Sequence, residues 1–490
     1  MSRASNRLLA SLAIPGLLAT FGCSVEATTA VQRAPQNEAC HEPGAELLTF
    51  VHVSDIHGSF NPDRSGISPV ARIRGLRDRI ADDRPNVIFT NGGDDHEKGS
   101  LVEQISMGAA TRDIVQALRF DVRVMGNHDF AWGVDAALAH ARDRHAHVLA
   151  SNVEYVGEQR TDWQARDTAI VRVGCLRVGF FGLVSAPWDE SDQQTADDYF
   201  PEMPTRLDFA ARSKELVAEL RPQVDIVVLL SHLGIDEDMA LADRVEGIDI
   251  ILGAHSHSRT EEPLYVGQGA VVIHPGAFGR SLAQLDVVVD PTAKRVDVAD
   301  FQLHDIDAST PWSEPVEAEV ASVLTRFGGD TFFSTGWVRR SLSKGETAEL
   351  AARAAVSVLE VEAAVVDLST TWTGLSAGSV SPQDFADCFP VERQRPGTPG
   401  FSAFYTATLT GRELQDLLAS VPERFVALLP DTIDAGETYE VALPKREAFG
   451  RASSAFAAEI WQVLELLAQQ RSQDCVYLDA DEVLPSCGPL

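Results

Sequence analysis

The chain has 490 residues, 44% of them hydrophobic, and carries 41 Lys and Arg against 72 Asp and Glu, a formal net charge of −31. That length exceeds one compact core and points to two domains, and the hydrophobic content excludes wholesale disorder. The acidic balance excludes binding to a nucleic-acid backbone, which needs basic patches, so any pull on an anion must be local.

The N-terminus places Arg3 and Arg7 before an apolar segment, Leu8 to Gly22, that Pro15 interrupts. This is the pattern of a secretory signal, too short and too broken to span a bilayer. It ends in Thr20-Phe21-Gly22-Cys23, which is similar to a bacterial lipoprotein box with Gly ahead of the lipidated Cys. Residues 1–23 are then a signal peptide and 24–45 a polar tether, with a membrane anchor at Cys23 and a periplasmic or cell-envelope location. Ordinary cleavage near Ala27 or Ala30 is the other reading. Export permits disulfides. Without Cys23, the cysteines are Cys40, Cys175, Cys388, Cys475 and Cys487; the last two are close in the chain and form the first pair to consider, although connectivity is not fixed by sequence.

The remainder opens with a run of β-branched and apolar segments, each ending in polar residues. Leu47 to Val53 is a strand ending in Ser54-Asp55-Ile56-His57-Gly58. Asp55 and His57, two apart on extended backbone, point the same way. Val70 to Ile80 is an amphipathic helix. Asn86 to Thr90 is a strand ending in Gly92-Gly93-Asp94. A helical region, Leu101 to Leu118, leads to the strand Val122–Met125 and then Gly126-Asn127-His128-Asp129, where Gly126 frees the backbone to turn. Val134 to His147 reads as a polar helix that leaves His140, His145 and His147 solvated. Val148 to Ala150 and Arg177 to Phe181 continue the sheet. Asp225 to Leu230 ends in Ser231-His232, and Ile248 to Leu252 ends in Gly253-Ala254-His255-Ser256-His257. Ala270 to His274 and Leu282 to Val289 close this half. Clusters at strand C-terminal ends mark the ligand-binding edge of an α/β sheet. His52 faces the other side of its strand, and His96, just after Asp94, is a candidate to line the site.

These five strand ends, Asp55-x-His57, Gly93-Asp94, Gly126-Asn127-His128-Asp129, His232 and Gly253-x-His255-x-His257, resemble the calcineurin-like metallophosphoesterase superfamily, in the order of its secreted 5'-nucleotidase and 2',3'-cyclic phosphodiesterase branch. The resemblance implies an α/β fold of two mixed β-sheets flanked by helices. It implies one metal held by Asp55, His57, Asp94 and His257, and a second by Asp94, Asn127, His232 and His255, with Asp94 bridging. It makes His128 catalytic, with Asp129 beside it. Mixed imidazole and carboxylate ligands suit two divalent ions of Zn, Mn, Fe or Co. Such a pair activates a bridging hydroxide and clamps a phosphoryl group for in-line attack.

The implied activity is hydrolysis of a small phosphorylated substrate, with a 5'-nucleotide foremost. Cyclic nucleotides or other diesters, a sulfur ester as in the related thiosulfohydrolase branch, or a catalytically silent binding lipoprotein are the alternatives. The branch also carries an Asp three residues after its catalytic His. Here that position is Ala131. The expectation is a His128 without a carboxylate partner, which loses its proton at lower pH and confines activity toward acid.

Residues 46–308 make up the implied hydrolase domain. Ser309 to Gly329, with a helix over Val316–Arg326, reads as a connector. Residues 330–490 alternate helices (Glu346–Leu359, Arg412–Leu418) with strands (Ala364–Leu368, Phe404–Leu409) and resemble the smaller α/β C-terminal domain of the nucleotidases. In that family this domain holds the base between aromatics and binds substrate with Arg. The loop here is Ser369-Thr-Thr-Trp372-Thr-Gly374 and lacks the family's Arg, so Trp372, Arg393 and Arg395 are the candidate substrate contacts.

Overall fold

Strand β1 (Glu46–Val53) shows how two buried faces follow from one sequence. Its even-numbered Leu48 and Phe50 point to one side and its odd-numbered Val51 and Val53 to the other, and both sides are apolar, as in a strand covered on both faces. The computed structural model describes residues 44–63, 65–157, 163–185, 202–329, 331–391, 402–420, 425–444 and 454–473. The signal, Cys23, most of the tether, Arg393, Arg395, Cys475 and Cys487 lie outside them.

Two six-stranded mixed sheets form the first part of the chain. The first contains β1, β2 (Val87–Asn91), β3 (Val122–Val124), β4 (His147–Leu149), β11 (Ser281–Asp290) and β12 (Arg295–Asp305), in the order β12-β11-β1-β2-β3-β4. The second contains β5 (Thr168–Val173), β6 (Leu176–Val184), β7 (Ile226–His232), β8 (Ile250–Gly253), β9 (Leu264–Val266) and β10 (Ala270–Ile273), in the order β5-β6-β7-β8-β10-β9. In each sheet four neighbouring strands run parallel, β1 to β4 in one and β6, β7, β8 and β10 in the other. Parallel neighbours deliver their C-terminal ends to the same edge, and this brings distant loops together.

The sheets stack through one apolar layer. Leu48, Phe50, Ile88 and Val124 meet Phe180, Val228, Leu230 and Leu252 from the other sheet. Phe50 and Phe180 pack edge to face at 6.3 Å, worth about 0.5–1.5 kcal/mol beyond their burial. The outer face of the first sheet is covered by helices Pro69–Asp83 and Ala109–Leu118, and by Glu314–Gly328, whose Val316, Val320 and Val323 join the same cluster. The segment read as a connector is therefore also a structural layer of this half. The expected helix Leu101–Leu118 is two helices, Leu101–Ile105 and Ala109–Leu118, because Met107 and Gly108 take left-handed backbone, φ 47° and 81°. The polar helix stops at Ala141, not His147.

A five-stranded sheet, β17 (Phe425–Leu428), β14 (Ala363–Asp367), β18 (Thr438–Pro444), β16 (Ala403–Thr410) and β19 (Ala455–Glu459) in that order, builds the C-terminal part together with the pair β13 (Gly336–Val338) and β15 (Gly378–Val380). Its helix Pro382–Cys388 touches the loop after β2. Leu101 N donates to Gln383 Oε1 (2.7 Å), Gln383 Nε2 to Gly99 O (3.4 Å) and Gln104 Nε2 to Val391 O (3.3 Å). Among the described residues, no helix is long and apolar enough to cross a membrane.

Candidate metal centre

The seven expected ligands come together where the parallel strands of both sheets end. Asp55, His57 and His257 form one group, and Asp94, His232 and His255 another; within each group the ligand atoms lie within 4.8 Å of one another. Asn127 joins the second group, its Oδ1 3.1 Å from His232 Nε2, which is also 3.1 Å from Asp94 Oδ2. The groups adjoin through Asp94, whose Oδ2 is 3.7 Å from His57 Nε2.

The backbone is bent to achieve this. Asp55, His57, Asp94, His255 and His257 all have positive φ, between 49° and 73°. Non-glycine residues seldom adopt this region, although Asp and His tolerate it better than most. Each costs of order 1–3 kcal/mol unless the surroundings enforce it, and such residues cluster at functional sites. Gly126 serves the bend in a different way from that expected. Its φ is −99°, an ordinary value, and the requirement is steric: a Cβ there would lie 2.0 Å from Asp94 Oδ1.

The imidazoles are fixed by what lies behind them. His57 Nδ1 donates to His96 O (2.9 Å) and His232 Nδ1 to Gly92 O (2.7 Å), which turns both Nε2 atoms toward the centre. His57 Nε2 and His257 Nε2 are 3.1 Å apart. Burial, and then the Lys98 charge, hold His57 well below the usual histidine value and His257 at about 4, so both rings are neutral. At that separation the two nitrogens either share a hydrogen bond from His257 Nε2–H or are placed to ligate one cation. Burial pushes Asp55 up to about 7, a cost that a dication beside it would reverse. Burial opposes ionisation of Asp94, but the neighbouring His232 and His128 outweigh it and hold its carboxyl well below the usual range. In return Asp94 overcomes the burial of His232 and lifts it to about 9, and a metal would displace that proton. The donor set fits a pair of divalent ions.

His128 lines a cavity of about 710 Å³ with Asp94, Asn127, His255 and His257. The turn carrying it is a 3-10 helix, Asn127–Phe130, so Asp129 points away from the cavity. Asp129 is fully buried, and its carboxylate accepts from Gly126 N (2.8 Å), Asp94 N (3.1 Å), Asp95 N (2.9 Å) and His96 Nδ1 (2.9 Å). These bonds clamp the β2 and β3 loops to each other and leave Asp129 facing away from the cavity that its expected catalytic role would require. His96 does not line the cavity either, because its ring is turned inward onto Asp129 and His140. His140, expected in solvent, is fully buried, with its Nε2 2.6 Å from Arg123 Nη1. The helix ends early enough to turn this ring inward, and Arg123, itself fully buried, is held by Asp95 (3.4 Å) and Asp143 (3.1 Å). His52 sits between strands, bonded to Thr90 Oγ1 (2.9 Å) and Gly253 O (3.2 Å).

The expectation built on Ala131 is also corrected. Glu97, buried in the loop after β2, puts Oε2 2.6 Å from His128 Nδ1. Burial disfavours the imidazolium, but Asp94 and Glu97 outweigh it and raise the His128 pKa, so the acid form persists to higher pH. Three further residues escape a reading by motif. Lys98 lines the cavity, Ser185 Oγ donates to Asn127 Oδ1 (3.2 Å), and Phe278 lies 5.4 Å from the His57 ring and 5.0 Å from that of His257. Glu97 and Lys98 follow Asp94 in one loop, and that adjacency is the only signal in the sequence. Trp372 is 44% exposed, with its ring 5.7 Å from Phe278. Cys175 is disulfide-bonded and Cys388 is a buried free thiol.

Residues 48–259 match the family model described as calcineurin-like phosphoesterase. The chain is 26% identical over 253 residues to an uncharacterized metallophosphoesterase of Bacillus subtilis, covering 51% of this chain and 52% of that one. It is 24% identical over 285 residues to the 5'-nucleotidase of Homo sapiens, covering 50% and 47%. The chain thus spans about half the length of the curated relatives it matches. A crystal structure of a 5'-nucleotidase precursor from Thermus thermophilus superposes with a TM-score of 0.66 at 18% identity, covering 87% of this chain and 96% of that one, which establishes a shared fold.

Proposed function

We propose that this chain, whose residues 48–259 belong to the calcineurin-like phosphoesterase family, hydrolyses phosphomonoesters, foremost 5'-nucleotides, with two divalent metal ions. The observation that carries this is the pair of adjoining His and carboxylate groups, each with its ligand atoms inside 4.8 Å. Asp55, His57 and His257 would hold one ion, Asn127, His232 and His255 the other, and Asp94 both. Bound there, the pair would supply Lewis acidity for hydrolysis of a phosphate ester. His128, lining the cavity, gives a proton to the leaving oxygen or steadies the equatorial charge. Lys98 draws the anionic group into a cavity on a chain whose overall charge of −31 repels it.

In this reading residues 46–308 are the hydrolytic domain, 309–329 join it to the rest, and 330–490 contact the leaving group. Trp372 is separated from His57 and His257 by the single ring of Phe278, which favours an aromatic contact to a base. We also infer export, with Arg3 and Arg7 before the apolar segment as its signal and Cys23 as an anchor; the Cys175 disulfide supports an oxidising compartment. The test is a panel with added Mn: AMP, p-nitrophenyl phosphate, bis-p-nitrophenyl phosphate and a cyclic nucleotide. Turnover of AMP and p-nitrophenyl phosphate above the two diesters is expected. Turnover of diesters alone would overturn the monoester reading.

A further inference from the structure

The ring of His128 can serve a substrate only if its tautomer and orientation are set. The carboxylate of its own turn is engaged elsewhere: Asp129 accepts from the backbone of the β2 loop and of Gly126, and Ala131, three residues on, carries a methyl group. The contact comes from elsewhere. Glu97 Oε2 lies 2.6 Å from His128 Nδ1, a charge-assisted hydrogen-bond length, and the Glu97 side chain is fully buried while that of His128 is 12% exposed.

Glu97 is itself held in place. Its N–H donates to Glu103 Oε1 (3.0 Å), which also accepts from Trp132 Nε1 (2.7 Å) on the far side of the His128 turn. Glu103 Oε2 accepts from Thr111 Oγ1. Glu97 and Lys98 both have φ 68°, a conformation a glutamate seldom adopts, and Gly99 closes the loop by donating to His57 O (2.8 Å). The loop that begins with Asp94 thus returns a buried carboxylate to the ring over the cavity.

We propose that Glu97 is the positioning residue for His128: it accepts the Nδ1 proton, fixes the ring, and leaves Nε2 for the substrate, a role that the turn itself cannot fill because residue 131 is alanine. This rests on the phosphomonoesterase reading above. A carboxylate in this place holds the productive tautomer and favours the charged ring without touching substrate.

The test uses the full chain with Mn. Glu97→Ala should lower kcat on p-nitrophenyl phosphate about 10²–10³-fold, with KM within a few-fold and metal content unchanged. Glu97→Gln, which keeps the shape and an acceptor oxygen, should fall between it and the wild type. Adding Ala131→Asp to Glu97→Ala should restore at least about tenfold, since it returns a carboxylate to the turn. Independently of turnover, nitrogen NMR of ¹⁵N-histidine-labelled, metal-free protein, recorded at a pH alkaline enough to make the ring neutral, should show His128 protonated at Nδ1 in the wild type and a mixture of tautomers in Glu97→Ala. An unchanged kcat, or an unchanged His128 tautomer, in Glu97→Ala would assign Glu97 to loop packing and overturn the proposal. If the wild type fails to turn over any phosphomonoester, the functional reading falls, and the tautomer measurement still decides whether Glu97 sets the ring.

Discussion

Gly126 and Asp94 occupy space that admits no third atom: a Cβ on Gly126 would lie 2.0 Å from Asp94 Oδ1 and 2.4 Å from Asp94 N. Neither neighbour can yield, because Asp94 Oδ1 accepts from His128 N (2.8 Å) and its backbone is clamped by Asp129. Gly126→Ala should therefore cost about 1–3 kcal/mol of stability and displace Asp94. Denaturant unfolding together with metal analysis checks this. A variant of wild-type stability with full metal content would show that the two loops can part.

Removal of metal should abolish activity, and Mn or Co should restore it after dialysis. Metal should also raise the unfolding temperature, since it binds the native centre and relieves the buried charges there. Asp94→Ala should be the most damaging ligand change, because Asp94 faces both groups, and it should leave metal content below that of the wild type. Full activity in chelated protein, or a fully loaded Asp94→Ala, would count against the shared role.

Lys98 lines the cavity and its charge already depresses His57 and His257. Lys98→Met, which keeps the stem and removes the charge, should raise KM for phosphomonoesters about 10–100-fold, the equivalent of losing about 1.5–3 kcal/mol of charged hydrogen bonding. The effect should weaken at high salt. A KM unaffected by Lys98→Met would place the anion elsewhere in the cavity.

The buried network under the centre predicts a pH-dependent stability. Burial opposes charge on His96, but Glu103 and the hydrogen bond to Asp129 outweigh it and raise the pKa from 6.5 to about 9. A raised histidine contributes stability that is fully present below 6.5 and is lost as pH rises toward 9. The shift is worth about 3 kcal/mol. The stability gap between wild type and His96→Gln should therefore shrink from pH 6 to pH 9. A gap that does not change with pH would mean that His96 is held neutral.

The seven candidate ligand positions are legible in the sequence because each follows an apolar run and breaks its alternation with Asp, Asn, His or Gly. The strands are legible in the same runs, whereas their division into two sheets is what the family resemblance implies. What sits in irregular backbone is not legible. Glu97 meets His128 through a loop of left-handed residues that has no period to read. His140 lies on a short helix whose end no Gly or Pro marks, and it is drawn inward by Arg123, a charge that a sequence reading leaves on the surface. Gly126 is recognisable as obligatory, but the reason is the approach of Asp94, which only the fold brings near. Strand β12, with alternate residues exposed at the sheet's edge, carries too little apolar character to stand out.

Gln383 holds the chain's two halves together at one spot. It grips Gly99 and Leu101, the residues that end the loop carrying Glu97 and Lys98. Any swing of the C-terminal sheet must break that grip or pull the loop along with it, and the loop is tied at its other end to His128. The C-terminal part of the chain thus reaches, through Gln383 and this loop, the ring of His128 over the cavity.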